Sequence, residues 1–297
     1  MSLDQGDLMQ EGLMPTAVLG ATGGQGGAVV AALLEAGRAV RAVVRDPGSG
    51  RARALAAAGA EVVPGDLFDA ASLAEAFRGA EAAFAVTTPF QDGLDAEVAQ
   101  GAAIVRAAAD VALPHLVLAS VASADRDTGV PHFETKARTE ELLARSGLPA
   151  TVVAPTYFYD NALGSREEVA AGLLTMPMPG DTPLQQVARQ DLGRVVAAVV
   201  ADPDRWTGQR VEVAGDDPTP VRMAEEIGRA AGGTVTFHRS PLEDLRTANP
   251  DMFAMYSFFV NGGYQVDMAA LRTQFPAVPW TSYATWAQAQ DWPQPRG

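Results

Sequence analysis

The sequence predicts an α/β fold, a doubly wound parallel sheet followed by a smaller α+β region. Three observations carry this. Short apolar runs alternate with helical patterns through the first half of the chain, as strands joined by crossover helices do. A glycine-rich turn, Gly20-Ala21-Thr22-Gly23-Gly24-Gln25-Gly26-Gly27, joins the first such run to the first helical pattern. Beyond Pro155 the alternation loosens, and prolines and aromatic residues take its place.

Thr16–Leu19 reads as the first strand, and the apolar spacing from Ala28 to Leu34 as the first helix, stopped by Gly37 as a C-cap glycine. Residues 39–44 form the second strand, Arg51–Ala58 a helix ending at Gly59, and Glu61–Val63 the third strand. Ser72-Leu73-Ala74-Glu75 has the capping-box pattern and opens the next helix. Residues 82–86 give the fourth strand, about Asp95–Ala109 a long helix, His115–Ala119 the fifth strand, Phe133–Ser146 a helix and Ala150–Ala154 the sixth strand. Further on, Asp191–Val200, Arg222–Ala231, Leu242–Thr247, Met252–Val260 and a stretch around Trp286 read as helices. Gln209–Val213 and Thr234–His238 read as strands. The expected organisation is a tail over 1–14, a nucleotide-binding core over 15–155, and a C-terminal region over 156–297 folded onto it, with 191–215 returning to the core.

With 22 basic against 36 acidic residues the formal net charge is −14. No basic stripe meets a nucleic acid, and nothing attracts an anionic membrane surface. The absence of cysteine removes disulfides, thiolate catalysis and thiolate-bound zinc. His115, His132 and His238 are too scattered to suggest a metal site. The first fourteen residues carry Asp4, Asp7 and Glu11 and no basic n-region. The expectation is a soluble cytoplasmic protein that binds no nucleic acid, membrane or metal.

In a parallel sheet ligands bind beyond the C-terminal strand ends. After the first strand, Gly20, Gly23 and Gly26 stand at a G-x-x-G-x-x-G spacing. They supply a tight turn, room for a pyrophosphate and close helix packing, while amides at the helix start face the phosphates. After the second strand comes Arg45. An NAD-preferring site usually places an acid there, whereas an arginine accommodates the 2′-phosphate of NADP; Arg51 and Arg53 add to the field. Asp66 and Leu67 follow the third strand, where Asp66 either accepts from an adenine amino group or caps local backbone. Thr87 and Thr88 follow the fourth, close to a nicotinamide ribose or simply as turn residues before Pro89. Lys136 either bonds the ribose hydroxyls and lowers a neighbouring acid's pKa or lies on a helix surface.

These pieces, together with Val43-Val44-Arg45, Gly65-Asp66-Leu67, Val86-Thr87-Thr88, His132-Phe133-Glu134-Thr135-Lys136, Pro155-Thr156-Tyr157-Phe158, Asn161 and Gln190-Asp191-Leu192-Gly193, resemble the NmrA-like family, an atypical branch of the short-chain dehydrogenases. The likeness extends to its redox-sensing members and to its bacterial quinone- and azo-dye-reducing members. It implies a Rossmann-type core with an NADP(H) pocket lined by Gly20, Thr22, Gly23, Gly24, Gln25, Gly26, Arg45, Asp66, Leu67, Thr87, Thr88, Lys136 and Pro155, with Tyr157 and Phe158 near the nicotinamide. It also implies one of two functions: an NADPH-dependent oxidoreductase of a quinone-like small molecule, or a non-catalytic NADP(H) sensor acting on a protein partner. The chain departs from the superfamily's Tyr-x-x-x-Lys: His132 stands at the tyrosine position and Lys136 keeps the lysine. Both are candidate catalytic residues. Imidazole as a group can donate a proton near neutrality, which makes His132 a candidate donor, although it reads first as a structural histidine. Ser120 and Ser123 lie where the superfamily's hydroxyl donor sits.

Overall fold

A computed structural model describes residues 14–296; nearly all of the expected 1–14 tail lies outside them. The first half runs β1 (Thr16–Leu19), α1 (Gly24–Glu35), β2 (Val40–Val44), α2 (Gly50–Ala57), β3 (Glu61–Pro64), α3 (Ala70–Phe77), β4 (Ala82–Ala85), α4 (Leu94–Asp110), β5 (Leu116–Ala119), α5 (Pro131–Ser146) and β6 (Ala150–Pro155). There follow β7 (Tyr157–Phe158), β8 (Leu173–Met176), β9 (Gln186–Val187), α6 (Arg189–Ala201), β10 (Arg210–Val213), α7 (Pro220–Ala231), β11 (Thr236–Arg239), α8 (Pro250–Val260), α9 (Met268–Gln274) and α10 (Tyr283–Gln288).

Seven strands form the central sheet in the order β10-β6-β5-β4-β1-β2-β3. The pairings β3–β2, β2–β1, β1–β4, β4–β5 and β5–β6 are parallel. The Val152–Gln209 and Thr156–Val213 backbone bonds advance together along β6 and β10, so that edge runs parallel too. From β1 the chain winds outward through β2 and β3, then returns to start again at β4. The order therefore reverses between β1 and β4, and in such sheets ligands bind beyond the C-terminal strand ends at that switch point.

The chain divides into two compact units. The first holds the described residues up to Ser120 with Thr135–Val153 and Leu192–Val211; the second holds Val121–Glu134, Ala154–Asp191 and Glu212 onward. In the first unit Ala17 and Leu19 of β1 join Leu73 and Phe77 of α3, Ile104 of α4 and Leu143 of α5 in one apolar cluster. Val18 lies between them in sequence, is equally buried, and faces the other way, as strand alternation demands. On its face α1 and α6 approach closely: a β-carbon at Gly193 would stand 2.4 Å from the carbonyl oxygen of Ala28.

Helix α3 opens earlier than the capping-box pattern predicts. Asp69 Oδ1 accepts from the amides of Ala71 and Ser72 at 2.9 and 3.3 Å, while Ser72 Oγ turns back to the Asp69 carbonyl at 2.9 Å. A carboxylate is the stronger acceptor for orphan amides at a positive helix end.

The second unit is built around aromatic side chains. Tyr159, Tyr283, Trp286 and Trp292 share a core with Met176, Met178, Met223 and Ile227, and Tyr159 and Tyr283 meet edge to face at 5.2 Å. Two short parallel pairs, β8 with β11 and β7 with β9, complete it. Strands β7, β8 and β9 and helix α9 have no counterpart in the sequence reading; β7 and β9, two residues each, are too short to show any alternation.

Candidate functional site

The glycine turn after β1 takes the shape its spacing predicts. Gly20 has φ +65°, a left-handed conformation that glycine adopts without strain. Its carbonyl accepts from Gly23 N at 2.8 Å, closing the turn. A β-carbon on Gly26 would lie 2.3 Å from that carbonyl oxygen and 2.8 Å from the carbonyl oxygen of Leu19, so the third glycine is what lets α1 sit against the end of β1. Helix α1 begins at Gly24 behind the N-cap Gly23, with no side-chain cap and no acid in its first turn. Helices α2, α3, α7, α8, α9 and α10 all have a side-chain cap. The uncapped start of α1 therefore presents unbonded amides and a positive dipole end beyond the C-terminal end of β1. Gln25 Oε1, buried in the same turn, has no hydrogen-bond partner among the described residues.

The positive charges stand beside it. Arg45 follows β2 directly and is exposed. Arg51, in the first turn of α2, reaches across to the carbonyl of Thr22 with Nη1 at 3.4 Å. It thereby joins the glycine turn to the start of α2, a contact beyond the added field expected of it. Arg53 is held instead by the carbonyl of Gly48.

Asp66 is exposed, and its Oδ1 accepts from Phe68 N at 2.9 Å, the local backbone turn that stood as one of its two readings. Leu67 packs on the first unit's core. Thr88 receives its place from α4: its amide donates to Gln100 Oε1 at 3.2 Å, and its hydroxyl lies 3.4 Å from Phe90 N at the start of the one-turn helix Pro89–Asp92.

Lys136 sits in a buried polar cluster rather than on a helix surface. Its Nζ donates to the Thr87 carbonyl at 2.7 Å and to Thr87 Oγ1 at 2.9 Å, and pairs with Glu97 Oε1 at 2.9 Å. Glu97 is wholly buried. It also accepts from the hydroxyl of Thr87 at 3.0 Å and from that of Thr135. Burial lowers the Lys136 pKa, opposed by the charges of Glu97 and Glu140. Sequence reasoning missed Glu97 and Gln100. The signal was there: both fall on the face of α4 that carries Ile104 and Ala108, where a polar residue needs a partner. One turn further along α5, Glu140 accepts from Ser120 Oγ and pairs with Arg210 at 2.9 Å.

The remaining predicted residues belong to the second unit. His132 donates from its backbone to Asp251 Oδ1 at 3.1 Å, and its Nδ1 lies 2.7 Å from Asp251 Oδ2. Burial works against the Asp251 carboxylate, yet the bonds to His132 hold its pKa below the ordinary value. His132 thus anchors the start of α8. Pro155 is buried and its carbonyl accepts from Ala122 N at 2.9 Å. The Tyr157 phenol bonds to Tyr256 and Asn161, and burial raises its pKa; its ring meets Phe259 edge to face at 5.7 Å. Phe158 carries the guanidinium of Arg189 at 5.7 Å from its centroid. Ser123 is fully buried with φ +65°, its amide bonded to Glu212 Oε1 at 2.7 Å.

Among the described residues no helix is long and apolar enough to cross a membrane, and no group of three acidic or histidine side chains is placed to hold a metal ion.

Comparison with known proteins fits this arrangement. The chain is 33% identical over 224 residues to an NmrA-like family domain-containing oxidoreductase, FrzB, of Cladobotryum, covering 65% of this chain and about two thirds (66%) of that protein. It is 28% identical to the NAD(P)H azoreductase of Xenophilus azovorans, covering 79% and 80% of the two chains. Among solved structures, the NADPH-dependent quinone oxidoreductase QOR2 of Escherichia coli, complexed with NADPH, superposes with a TM-score of 0.78 at 25% identity, covering 92% of this chain and 98% of that one. The model of the NmrA-like family matches residues 15–286, and the chain belongs to that family.

Proposed function

We propose that the protein is an NADPH-dependent oxidoreductase whose acceptor is a flat, quinone-like molecule. The observation that carries the reading is the uncapped start of α1 behind the Gly20–Gly26 turn, with Arg45 and Arg51 beside it. The residues present fit a phosphorylated dinucleotide. A β-carbon at Gly23 would stand 3.2 Å from the Gly20 carbonyl oxygen, in the space where a pyrophosphate meets the first-turn amides. The relatives' names, an azoreductase, a quinone oxidoreductase and an NmrA-like oxidoreductase, support the same class.

When bound, the nicotinamide supplies the hydride. The protein's own work is placement. Gly20, Thr22, Gly23, Gly24, Gln25 and Gly26 offer backbone amides and room for the pyrophosphate. Arg45 and Arg51 meet the 2′-phosphate, and Asp66 and Leu67 flank the adenine. Thr87, Thr88 and Lys136 hold the nicotinamide-side ribose. Pro155, Tyr157 and Phe158, cofactor contacts by the family resemblance, lie in the second unit. A quinone takes its protons from water, so the loss of the superfamily's tyrosine does not stop such a reaction. His132 is left to its bond with Asp251.

The test is NADPH oxidation screened against quinones, azo dyes and carbonyls, beside a titration of cofactor binding. Turnover with quinones or azo dyes is the expected result. Tight NADPH binding with no turnover on any acceptor would replace this reading with that of an NADP(H) sensor for a protein partner.

A further inference from the structure

Glu97 is a charged group with no access to solvent that no step above uses. It sits in the first turn of α4, facing inward, and its two oxygens collect three donors: the hydroxyls of Thr87 and Thr135 and the ammonium of Lys136. The ammonium is held from two directions. Glu97 Oε1 accepts on one side, and the carbonyl and hydroxyl of Thr87 accept on the other. Thr87 thus bonds to both partners of the ion pair and itself lies two residues beyond β4.

A buried ion pair is not placed by chance, since both partners must leave water and neither tolerates loss of the other. Around the ammonium, Glu97 comes from α4 and Glu140 from the next turn of α5, with Glu140 tied in turn to Arg210 and Ser120. The turn beyond β4 brings only the neutral oxygens of Thr87.

We propose that Glu97 is the positioning residue of the site: it fixes the Lys136 ammonium against Thr87, and so sets the turn on which the cofactor's nicotinamide-side ribose rests. The proposal stands on the reading of Lys136 and the Thr87–Thr88 turn as cofactor contacts. Glu97 touches no ligand itself and acts through Lys136. Burial already favours the neutral amine, and Glu97 is the charge that most opposes that loss. Without it the ammonium sheds its proton at a lower pH.

The experiment is a double-mutant cycle on NADPH affinity, read by cofactor fluorescence at pH 6.5 and pH 9 and expressed relative to the unmodified protein at each pH. Lys136→Met is expected to bind about tenfold more weakly at both. Glu97→Gln keeps the shape and loses the charge; its affinity is expected to fall by less than about threefold at pH 6.5 and by about tenfold at pH 9. The double variant Glu97→Gln/Lys136→Met is expected to bind no more weakly than Lys136→Met alone. A Glu97→Gln profile parallel to that of the unmodified protein, or losses that multiply in the double variant, would overturn the proposal and leave Glu97 a packing residue. Lys136→Met that binds NADPH like the unmodified protein would instead remove the reading of Lys136 as a cofactor contact, and the proposal with it. If Glu97→Gln alone does not fold, the double variant, which buries no unpaired charge, decides against Lys136→Met: equal affinity supports the proposal and further loss overturns it.

Discussion

Under the proposed function, Arg45 and Arg51 select the cofactor. A guanidinium fork facing a 2′-phosphate forms charge-assisted bonds, each worth about 1.5–3 kcal/mol. Arg45→Asp should therefore weaken NADPH binding by about ten- to a hundredfold and leave NADH binding unchanged or improved. Titration of both cofactors checks this, and equal loss for the two would detach Arg45 from the 2′-phosphate. His132 gives the opposite case. The family resemblance puts it at the place of a catalytic tyrosine, yet its Nδ1 lies 2.7 Å from Asp251. His132→Phe should leave NADPH affinity and quinone turnover nearly intact. It should lower the rate only for an acceptor that needs a positioned proton donor. A large loss of quinone turnover in a folded variant would make His132 the missing acid.

Elements carry the next level of cause. The start of α1 is open because its N-cap is a glycine, and two of the turn's glycines do different work. Gly23 lies in extended backbone, and an added β-carbon there meets one carbonyl oxygen at 3.2 Å. Gly23→Val should fold and lose dinucleotide binding altogether. At Gly26 the added carbon would stand 2.3 Å from backbone, so Gly26→Ala should lose about 1–3 kcal/mol of stability by overpacking, measured by urea denaturation. If Gly23→Val kept its affinity, the turn would not be the phosphate cradle. The entry to β5 supplies a pH dependence. His115 is buried with Nε2 on Thr151 Oγ1 at 2.9 Å, and burial lowers its pKa below 6.5. Below about pH 6.5 the unfolded chain takes up a proton that the folded chain refuses. This contribution to stability is therefore present above that pH and is lost as pH falls toward the folded value, at up to about 1.4 kcal/mol per pH unit. His115→Gln keeps a hydrogen-bonding group for Thr151 and should flatten stability in that window, as urea melts at pH 7.5 and 5.5 would show. An unchanged slope would acquit His115.

For the whole molecule, a ligand that binds only the folded state raises stability by mass action. At a hundredfold excess over the dissociation constant the gain is about 2.7 kcal/mol, which for a chain of this size is roughly 5 °C in Tm. NADPH should produce that shift, NADH less at equal concentration, and Gly23→Val none with either. A shift by NADPH that survives in Gly23→Val would locate binding elsewhere in the molecule.

The sequence by itself determined the alternating core, the glycine turn, Arg45 at the end of β2 and the family. Each is written locally: apolar periodicity, glycine spacing and strand-end position need no knowledge of distant residues. It did not determine what distant residues do to one another. That Lys136 is locked by Glu97, thirty-nine positions earlier, depends on α4 and α5 passing so closely that a β-carbon at Gly101 would stand 2.5 Å from the Thr139 side chain. That His132 meets Asp251 depends on a contact across more than a hundred residues. Only folding brings such groups together. Burial then obliges them to pair, because a charge or donor removed from water must find its partner inside the protein.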